Sequence, residues 1–311
     1  MKRLGIRSVL PAAAALTLAT FLAQPAAASL RRPIDEHRPA DAQGQVELVV
    51  VSGHIDVVGW DKAEIAVTGT LGEHVDKVDI NTAGARTTIR VVLKEHEGVH
   101  LDWGNKSGDA ELIVHVPRGN SLKASLVSAD LGVSEVQGNQ EVQSVSGDLN
   151  IAASREVRIG TVSGDVHLTA GSDSKLLDVG TVSGDVHMTG GGGDVTINTV
   201  SGDGMVSIGT ASRLHVKTVS GDFRISTGLT ADGRFDAEAI SGDFGIEFTS
   251  GVPPAEFDVQ SYSGDISTCF GQKPVKERYG PGSRLAYKEG AGTARVKVDT
   301  KSGEVSICTK R

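Results

Sequence analysis

Aspartates recur through the second half of the chain, each closing a Ser-Gly-Asp tripeptide, with steps of 17 to 22 residues between copies. They are Asp148, Asp165, Asp185, Asp203, Asp222, Asp243 and Asp265. If the repeats stack in register, neighbouring carboxylates lie about 4.8 Å apart and repel unless amides or cations satisfy them. The column indicates structural turns, in which short polar side chains bond backbone amides. It indicates a cation site more weakly, because Ca²⁺ needs six to eight oxygen ligands.

The two cysteines of the chain share one repeat position. Cys269 follows Ser263 by six residues, and Cys308 follows Ser302 by six residues. On adjacent turns their Cα atoms would lie about 5 Å apart, within disulfide range; with a turn between them the distance would be about 10 Å. In an exported protein the compartment is oxidising. We therefore predict a disulfide that holds the C-terminal end.

Two further pairs share repeat positions. His167 and His187 lie four residues after their serines and face outward, so they could help to bind Zn²⁺ or Cu²⁺, although no third ligand is evident. Asp236 and Asp258 would stack as an acid pair, and paired acids can divide acid and base roles. A solvated strand face of mixed charge gives the same pattern. Because no catalytic triad order, P-loop or dinucleotide motif accompanies them, we predict no catalytic residue.

The apolar pattern of each repeat predicts the fold. Counted from Ser as position 0, apolar residues fall at −6, −4, −1, +3 and +5, and threonine is common at −2. Around Ser163 the apolar residues are Val157, Ile159, Val162, Val166 and Leu168. Steps of two indicate strands with one buried face, and the break in parity at −1 predicts a corner. Glycine at +1 permits the tight turn.

Stacking of such repeats buries a continuous core that no single repeat could bury. The predicted fold class is all-β: a single-stranded parallel β-helix (β-solenoid) with about 18–20 residues per turn and covered at both ends. Right-handed coiling is expected because parallel crossovers are almost always right-handed.

The chain divides into five predicted segments. Residues 1–28 resemble a signal peptide, with a basic start, an apolar stretch and an Ala26-Ala27-Ala28 cleavage signal. Residues 29–44 are polar and predicted to be a flexible leader. An irregular β part follows over 45–118, then the regular repeats over 119–270, and a loop with a capping turn over 271–311. We therefore expect an exported protein, periplasmic or at the cell surface, with no transmembrane segment after signal removal.

Charge and composition narrow the partners. The chain carries a formal net charge of −8, and loss of three basic residues with the predicted signal would leave −8 − 3 = −11. Such a charge argues against nucleic-acid binding. Only 12 aromatic residues stand against 39 glycines, which suits short strands and tight turns better than a helical core.

The sequence resembles a bacterial family, the putative adhesins, which are exported proteins built of β-strand repeats. The resemblance rests on the T-V-S-G-D repeats of 144–267, on VVVSGHIDVVGW (49–60), on VHVPRGNSL (114–122) and on ARVKVDTKSGEVSI (294–307). It covers roughly residues 45–311. It implies a β-repeat fold and a role at the envelope or cell surface, and it carries no catalytic residues.

These observations predict a non-enzymatic envelope protein that binds or supports through a repeated surface. The expected partner is an envelope polysaccharide or a surface protein, and many weak contacts along the repeats would supply affinity. Self-association through the ends of the solenoid is a further expectation. No cofactor is predicted beyond the weak indication of Ca²⁺. The alternative is a polysaccharide-acting β-helix enzyme.

Overall fold

A computed structural model describes residues 31–94, 110–276 and 282–310. The predicted signal peptide, residues 95–109 of the predicted irregular β part and residues 277–281 of the C-terminal loop lie outside that part. The described chain is all-β, as predicted, with 23 strands joined in one sheet. No helix in it is long and apolar enough to cross a membrane.

The strands fall into an N-terminal group, a regular stack and a C-terminal group. The N-terminal strands are β1 (Arg32–Pro39), β2 (Gln45–Trp60), β3 (Glu64–Leu71), β4 (Val75–Ala83), β5 (Arg86–Leu93) and β6 (Ala110–Pro117). The stack contains β7 (Ser121–Ser134), β8 (Gln140–Ser146), β9 (Leu149–Ala153), β10 (Glu156–Ser163), β11 (Val166–Ala170), β12 (Leu176–Ser183), β13 (Val186–Gly190), β14 (Gly193–Ser201), β15 (Gly204–Ser220), β16 (Phe223–Ser241) and β17 (Phe244–Phe248). The C-terminal strands are β18 (Ala255–Ser263), β19 (Ile266–Thr268), β20 (Val275–Lys276), β21 (Ser283–Lys288), β22 (Ala294–Ser302) and β23 (Val305–Thr309).

In the stack, each strand pairs in parallel with the equivalent strand one repeat later. Strand β10 pairs with β12 so that Ser163 faces Ser183, and β11 pairs with β13 so that Val166 faces Val186. Each Ser-Gly-Asp corner joins two such arms. The apolar residues at −6, −4, +3 and +5 are buried throughout, so the core is a continuous column between the arms.

The corner differs from the predicted one in which side chain turns inward. Alternation continues through −2, so Thr161 and Thr181 are buried, whereas Val162 and Val182 at −1 are about half exposed. The predicted break in parity at −1 was wrong: the strand keeps its period of two until the chain turns at serine and glycine. Threonine therefore lines the inside of the corner, and valine lies outside it.

The N-terminal turn is stacked out of chain order. Strand β2 pairs in parallel with β7 on one side and with β5 and β6 on the other. Antiparallel strands continue the sheet outward, β4 beside β5, and β3 then β1 beside β6. The flexible leader predicted over 29–44 was wrong at its centre, because β1 is a strand that pairs along its whole length with β3.

The C-terminal turn is displaced in the same way. Strands β22 and β23, the last in the chain, lie between β16–β17 and β18–β19. Strand β21 then adds antiparallel to β18 as an outer strand. The sheet is therefore mixed, where a purely parallel coil was predicted. Within the described ranges, antiparallel pairs occur only toward the two ends. The predicted handedness stays a prediction.

Candidate functional site

The corner glycines are required by both conformation and stacking. Gly184 has a φ of 133°, and a Cβ on it would lie 2.2 Å from the carbonyl oxygen of Gly164 in the neighbouring turn. Gly202 would meet Gly184 in the same way at 2.2 Å. Residues with a side chain rarely adopt such a φ, and the neighbouring carbonyl group cannot move far enough to make room for a Cβ. The glycines therefore form a column that lets successive corners approach closely.

The corner aspartates form a ladder of charge-assisted hydrogen bonds. The amide N–H of Asp185 donates to Oδ1 of Asp165 at 2.9 Å, and the amide of Asp203 donates to Oδ1 of Asp185 at 2.9 Å. The ladder runs without interruption through Asp130, Asp148, Asp165, Asp185, Asp203, Asp222, Asp243 and Glu304. Each aspartate carboxylate from Asp130 to Asp243 thus satisfies an amide that the sheet leaves unpaired at the corner, and Glu304 ends the ladder as a donor.

The ladder gives the aspartates a structural role in the turns, which the sequence indicated for them. One oxygen of each carboxylate is engaged in the ladder, and no group of three His, Cys, Asp or Glu side chains converges on a metal position within residues 31–94, 110–276 and 282–310. Asp265 differs, because its carboxylate pairs with Lys276. Binding of Ca²⁺ along the column remains a prediction.

Beside the ladder runs an apolar stripe that the sequence did not predict as a surface. It consists of the residues at −1, aligned by the register of their strands. Its members are Val51, Val127, Val145, Val162, Val182, Val200, Val219 and Ile240, with exposures of 37% to 54%. Seven steps of about 4.8 Å give the stripe a length of about 34 Å. We call these eight residues the valine stripe.

The two sides of the valine stripe differ in charge. On one side, past the corner serines, lie the carboxylates of the aspartate ladder. None of the salt bridges in the described residues involves a ladder aspartate from Asp148 to Asp243, so these carboxylates have no cationic side-chain partner in that part of the chain. On the other side, at −3, the central turns carry neutral residues. These are Gln143, Gly160, Gly180 and Asn198.

The two predicted histidines do come together. The rings of His167 and His187 stack with centroids 5.0 Å apart and planes 4° from parallel. Their neighbours in the same row are Asn150 and Met205. Nδ1 of His187 has no hydrogen-bond partner. The pair supplies two nitrogen ligands on one face, without a third nitrogen, thiolate or carboxylate ligand beside it in the part that the structure describes.

The predicted acid pair is not formed. Lys297 of β22 lies between Asp236 and Asp258 and is the register partner of both. Asp258 also pairs with Arg284 of β21 at 3.1 Å. The prediction was wrong because it assumed that repeats adjacent in sequence are adjacent in space, and the inserted C-terminal turn separates these two.

The predicted cysteine pair is bonded. Cys269 and Cys308 form a disulfide with a Cα–Cα distance of 4.8 Å across a sequence separation of 39 residues. The bond joins the outermost turn to the inserted C-terminal turn. Aromatic side chains pack beside this joint, where Phe257 stacks on Tyr287 with centroids 5.0 Å apart. Burial, with the nearby Glu289 carboxylate, raises the pKa of Tyr287 to about 12.

One titratable group at the N-terminal end is also shifted. His37 on β1 contacts Glu64 on β3 and lies 3.1 Å from the carboxylate of Asp35. The hydrogen bond to Glu64 raises the pKa of His37 above its ordinary value, and Asp35 adds to the effect. This contact joins β1 to its only strand partner within the described residues.

Sequence reasoning missed two features of the corner. The first is the outward valine at −1. The period of two, continued from −6 and −4 through −2, places −1 on the outer face. The second is a further Ser-Gly-Asp copy at 107–109, directly before β6. It lies outside the described residues, but Ala110, which follows it, is the register partner of Gly53 in the corner of β2.

Three of the solved structures that match this chain have low sequence identity to it. The first is a putative cell adhesion protein from Clostridium sporogenes ATCC 15579 (10% identity, 90% of this chain and 100% of that chain, TM-score 0.23). The second is a putative lipid binding protein from Parabacteroides distasonis ATCC 8503 (13%, 91% and 98%, 0.49). The third is a putative adhesin from Parabacteroides merdae ATCC 43184 (12%, 90% and 97%, 0.32). We draw no functional conclusion from them.

Comparison at the level of sequence families is more informative. No curated protein matches the chain. The family described as Toastrack DUF4097 matches residues 45–308, which include every strand from β2 to β22 and most of β23. This match confirms the resemblance to the adhesin-like β-repeat proteins that the Ser-Gly-Asp repeats indicated. The chain is therefore a member of the Toastrack DUF4097 family.

Proposed function

We propose that this protein is a non-catalytic binding scaffold of the cell envelope, exported by the signal peptide predicted at residues 1–28. Its working surface would be the valine stripe with the adjacent aspartate ladder. The observation that carries this proposal is the register of the stripe, which presents a β-branched apolar side chain at the same outward position on eight successive turns.

The repetition favours binding over catalysis. A catalytic site needs a few different groups converging on one reacting atom. The outward corner positions instead repeat the same groups, and the ladder carboxylates are committed to backbone amides. The one acid pair considered for polysaccharide cleavage is separated by Lys297. Many identical weak contacts along one line are suited to a long or multivalent partner.

Cosedimentation with isolated cell envelopes tests this proposal. The purified protein is mixed with envelope fragments, the pellet is assayed for the protein, and the supernatant for released sugar fragments. Saturable pelleting without release is the expected result. Release of sugar fragments that depends on the protein would contradict it, and the first residues to substitute would then be Asp236 and Asp258. Absence of pelleting would also contradict it.

The valine stripe itself is tested by matched variants. A triple substitution Val162→Thr, Val182→Thr and Val200→Thr keeps the β-branched shape and replaces one methyl group at each position by a hydroxyl group. We expect it to reduce pelleting by about tenfold, since each buried methyl group contributes a fraction of the binding free energy. Substitution of Val275→Thr, which is 71% exposed but lies outside the stripe, is the control and is expected to leave pelleting unchanged.

A further inference from the structure

We infer that the partner of the valine stripe is a cationic amphipathic polypeptide segment, bound as an α-helix along the stripe. This inference rests on the proposed function and names the chemistry of its ligand. It is argued from three properties of the surface: its apolar character, its unneutralised charge and its pitch.

The first property is that the residues at −1 are apolar and exposed although the fold does not require apolar side chains there. The corner is closed by the glycine column and the aspartate ladder, and threonine fills its inside. A polar residue at −1 would satisfy these contacts equally well, yet the eight positions are all valine or isoleucine. The largest exposed apolar patch of a protein is often an interaction site. The stripe therefore fits an apolar face on a partner.

The charge beside the stripe gives the sign of that partner. The ladder carboxylates from Asp148 to Asp243 run parallel to the stripe and have no salt-bridge partner in the described residues. Across the stripe the central turns are neutral, as at Gly160 and Asn198. At one end of the valine stripe, the next residue at −1 is Lys301 on β22, which is the register neighbour of Ile240. Lysine and arginine on one flank of an apolar face would complement this arrangement over the central turns.

The pitch of the stripe favours a helix over an extended strand. Stripe residues repeat every 4.8 Å or so along the stack. A helix repeats its apolar face about every 5.4 Å, whereas side chains on one face of a strand repeat about every 6.6 Å. Over four turns a helix stays within about half a step of the stripe, and its i, i+3 and i+4 residues can pack against successive valines. Basic residues on the adjoining helix face then reach the ladder.

The test uses a synthetic peptide of about 18 residues made of leucine and lysine, with the leucines on one helical face. Its binding to the purified protein is followed by fluorescence anisotropy. Two peptide controls are a scramble of the same composition without an apolar face, and the same pattern with glutamate for lysine. We expect saturable binding of the first peptide alone, weakened at least about tenfold when salt rises from about 0.05 M to about 0.5 M.

Two protein variants separate charge from apolar contact. The triple Asp165→Asn, Asp185→Asn, Asp203→Asn removes three charges but keeps the side-chain oxygen that accepts each amide, so the ladder survives. We expect it to weaken binding about tenfold and to flatten the salt dependence. The valine-to-threonine triple defined above should weaken binding about tenfold with the salt dependence retained. Met205→Thr, at a 50% exposed position off the stripe, is the control and should change binding less than about twofold.

Denaturant unfolding of each variant shows whether a loss of binding reflects a loss of folding; a variant that unfolds is replaced by its single substitutions. Absence of binding, equal binding of the scrambled peptide, or unchanged binding by both triples would each overturn the inference. If envelopes pelleted the unmodified protein but not the valine triple, and the peptide did not bind, the inference would fail while the scaffold proposal stood. If the valine triple still pelleted with protein-free polysaccharide, the partner would be a polysaccharide and would bind to another surface of the protein. Loss of both peptide binding and pelleting by the unmodified protein would end both proposals.

Discussion

The central stack and the C-terminal end use the same corner contact over very different lengths of chain. In the stack, the amide of Asp185 reaches the carboxylate of Asp165, 20 residues earlier. At the C-terminal end, the amide of Glu304 reaches Asp243, 61 residues earlier. Closing the longer loop costs about 1 kcal/mol more of chain entropy. The comparison teaches that a repeat can stack on a turn that is not its neighbour in sequence, so sequence order alone does not choose the neighbour.

The C-terminal end compensates for this longer closure with a covalent bond, which gives the largest expected effect. Removing the disulfide with Cys269→Ser and Cys308→Ser frees a loop whose ends are 39 residues apart, which should destabilise the end by about 4 kcal/mol. Hydrogen exchange should show lost protection in β18, β19 and β21–β23, with β8–β13 unchanged. Equal loss in both regions would show that the stack and the end unfold as one unit.

Breaking the glycine column should disrupt the stack next most strongly. Gly184→Ala places a Cβ 2.2 Å from a carbonyl oxygen at a positive φ, which should cost about 3 kcal/mol in the free energy of unfolding. Gly180→Ala is the matched control four residues earlier, where the nearest atom to a Cβ is 3.9 Å away. Chemical denaturation measures both. Equal stability of the two variants would refute the role assigned to the corner.

The free energy of unfolding should fall when a ladder aspartate loses the oxygen that accepts an amide, and should change little when it loses only its charge. Asp185→Ala leaves the amide of Asp203 without its acceptor, and should cost about 1 to 2 kcal/mol. Asp185→Asn keeps an oxygen at the same position and should stay within about 0.5 kcal/mol of the unmodified protein. An equal loss for asparagine and alanine would mean that the charge, for example through a bound cation, holds the corner.

The N-terminal end offers the smallest effect. The pKa of His37 is raised by Glu64, so its contact stabilises the fold at low pH, below the ordinary pKa of about 6.5, and this contribution disappears as the pH rises through the raised value. A pH titration of the His37 ring by NMR should show the raised pKa, and Glu64→Gln should lower it. An unchanged pKa in that variant would show that β1 is held without this contact.

Most of the stack could be predicted from the sequence because each contact in it is local. The spacing of Ser-Gly-Asp, the apolar positions at −6, −4, +3 and +5, and the glycine at the corner each follow from the needs of one repeat and its neighbour. The pairing of Cys269 with Cys308 also followed, because both lie at the same repeat position.

The remaining features depend on choices that one repeat does not encode. The insertion of β22 between β16 and β18 is a long-range pairing, so Asp236 and Asp258 were placed side by side when Lys297 separates them. Strand β1 was missed because a polar, proline-containing segment carries no apolar period and is held by its partner β3. The valine stripe was missed because the apolar residue at −1 was counted with the other apolar positions of the repeat and was taken only as the mark of a corner.

The central claim is that valine at −1 faces outward while threonine at −2 fills the corner, and cysteine labelling tests it most directly. The described residues contain no free thiol, so Val182→Cys and Thr181→Cys each introduce a single reactive group. The account predicts rapid modification of the Val182→Cys variant, at a position 47% exposed, and protection of the Thr181→Cys variant, at a position 4% exposed, until denaturant is added. Protection at 182 with rapid labelling at 181 would contradict the account and remove the surface on which both proposals depend.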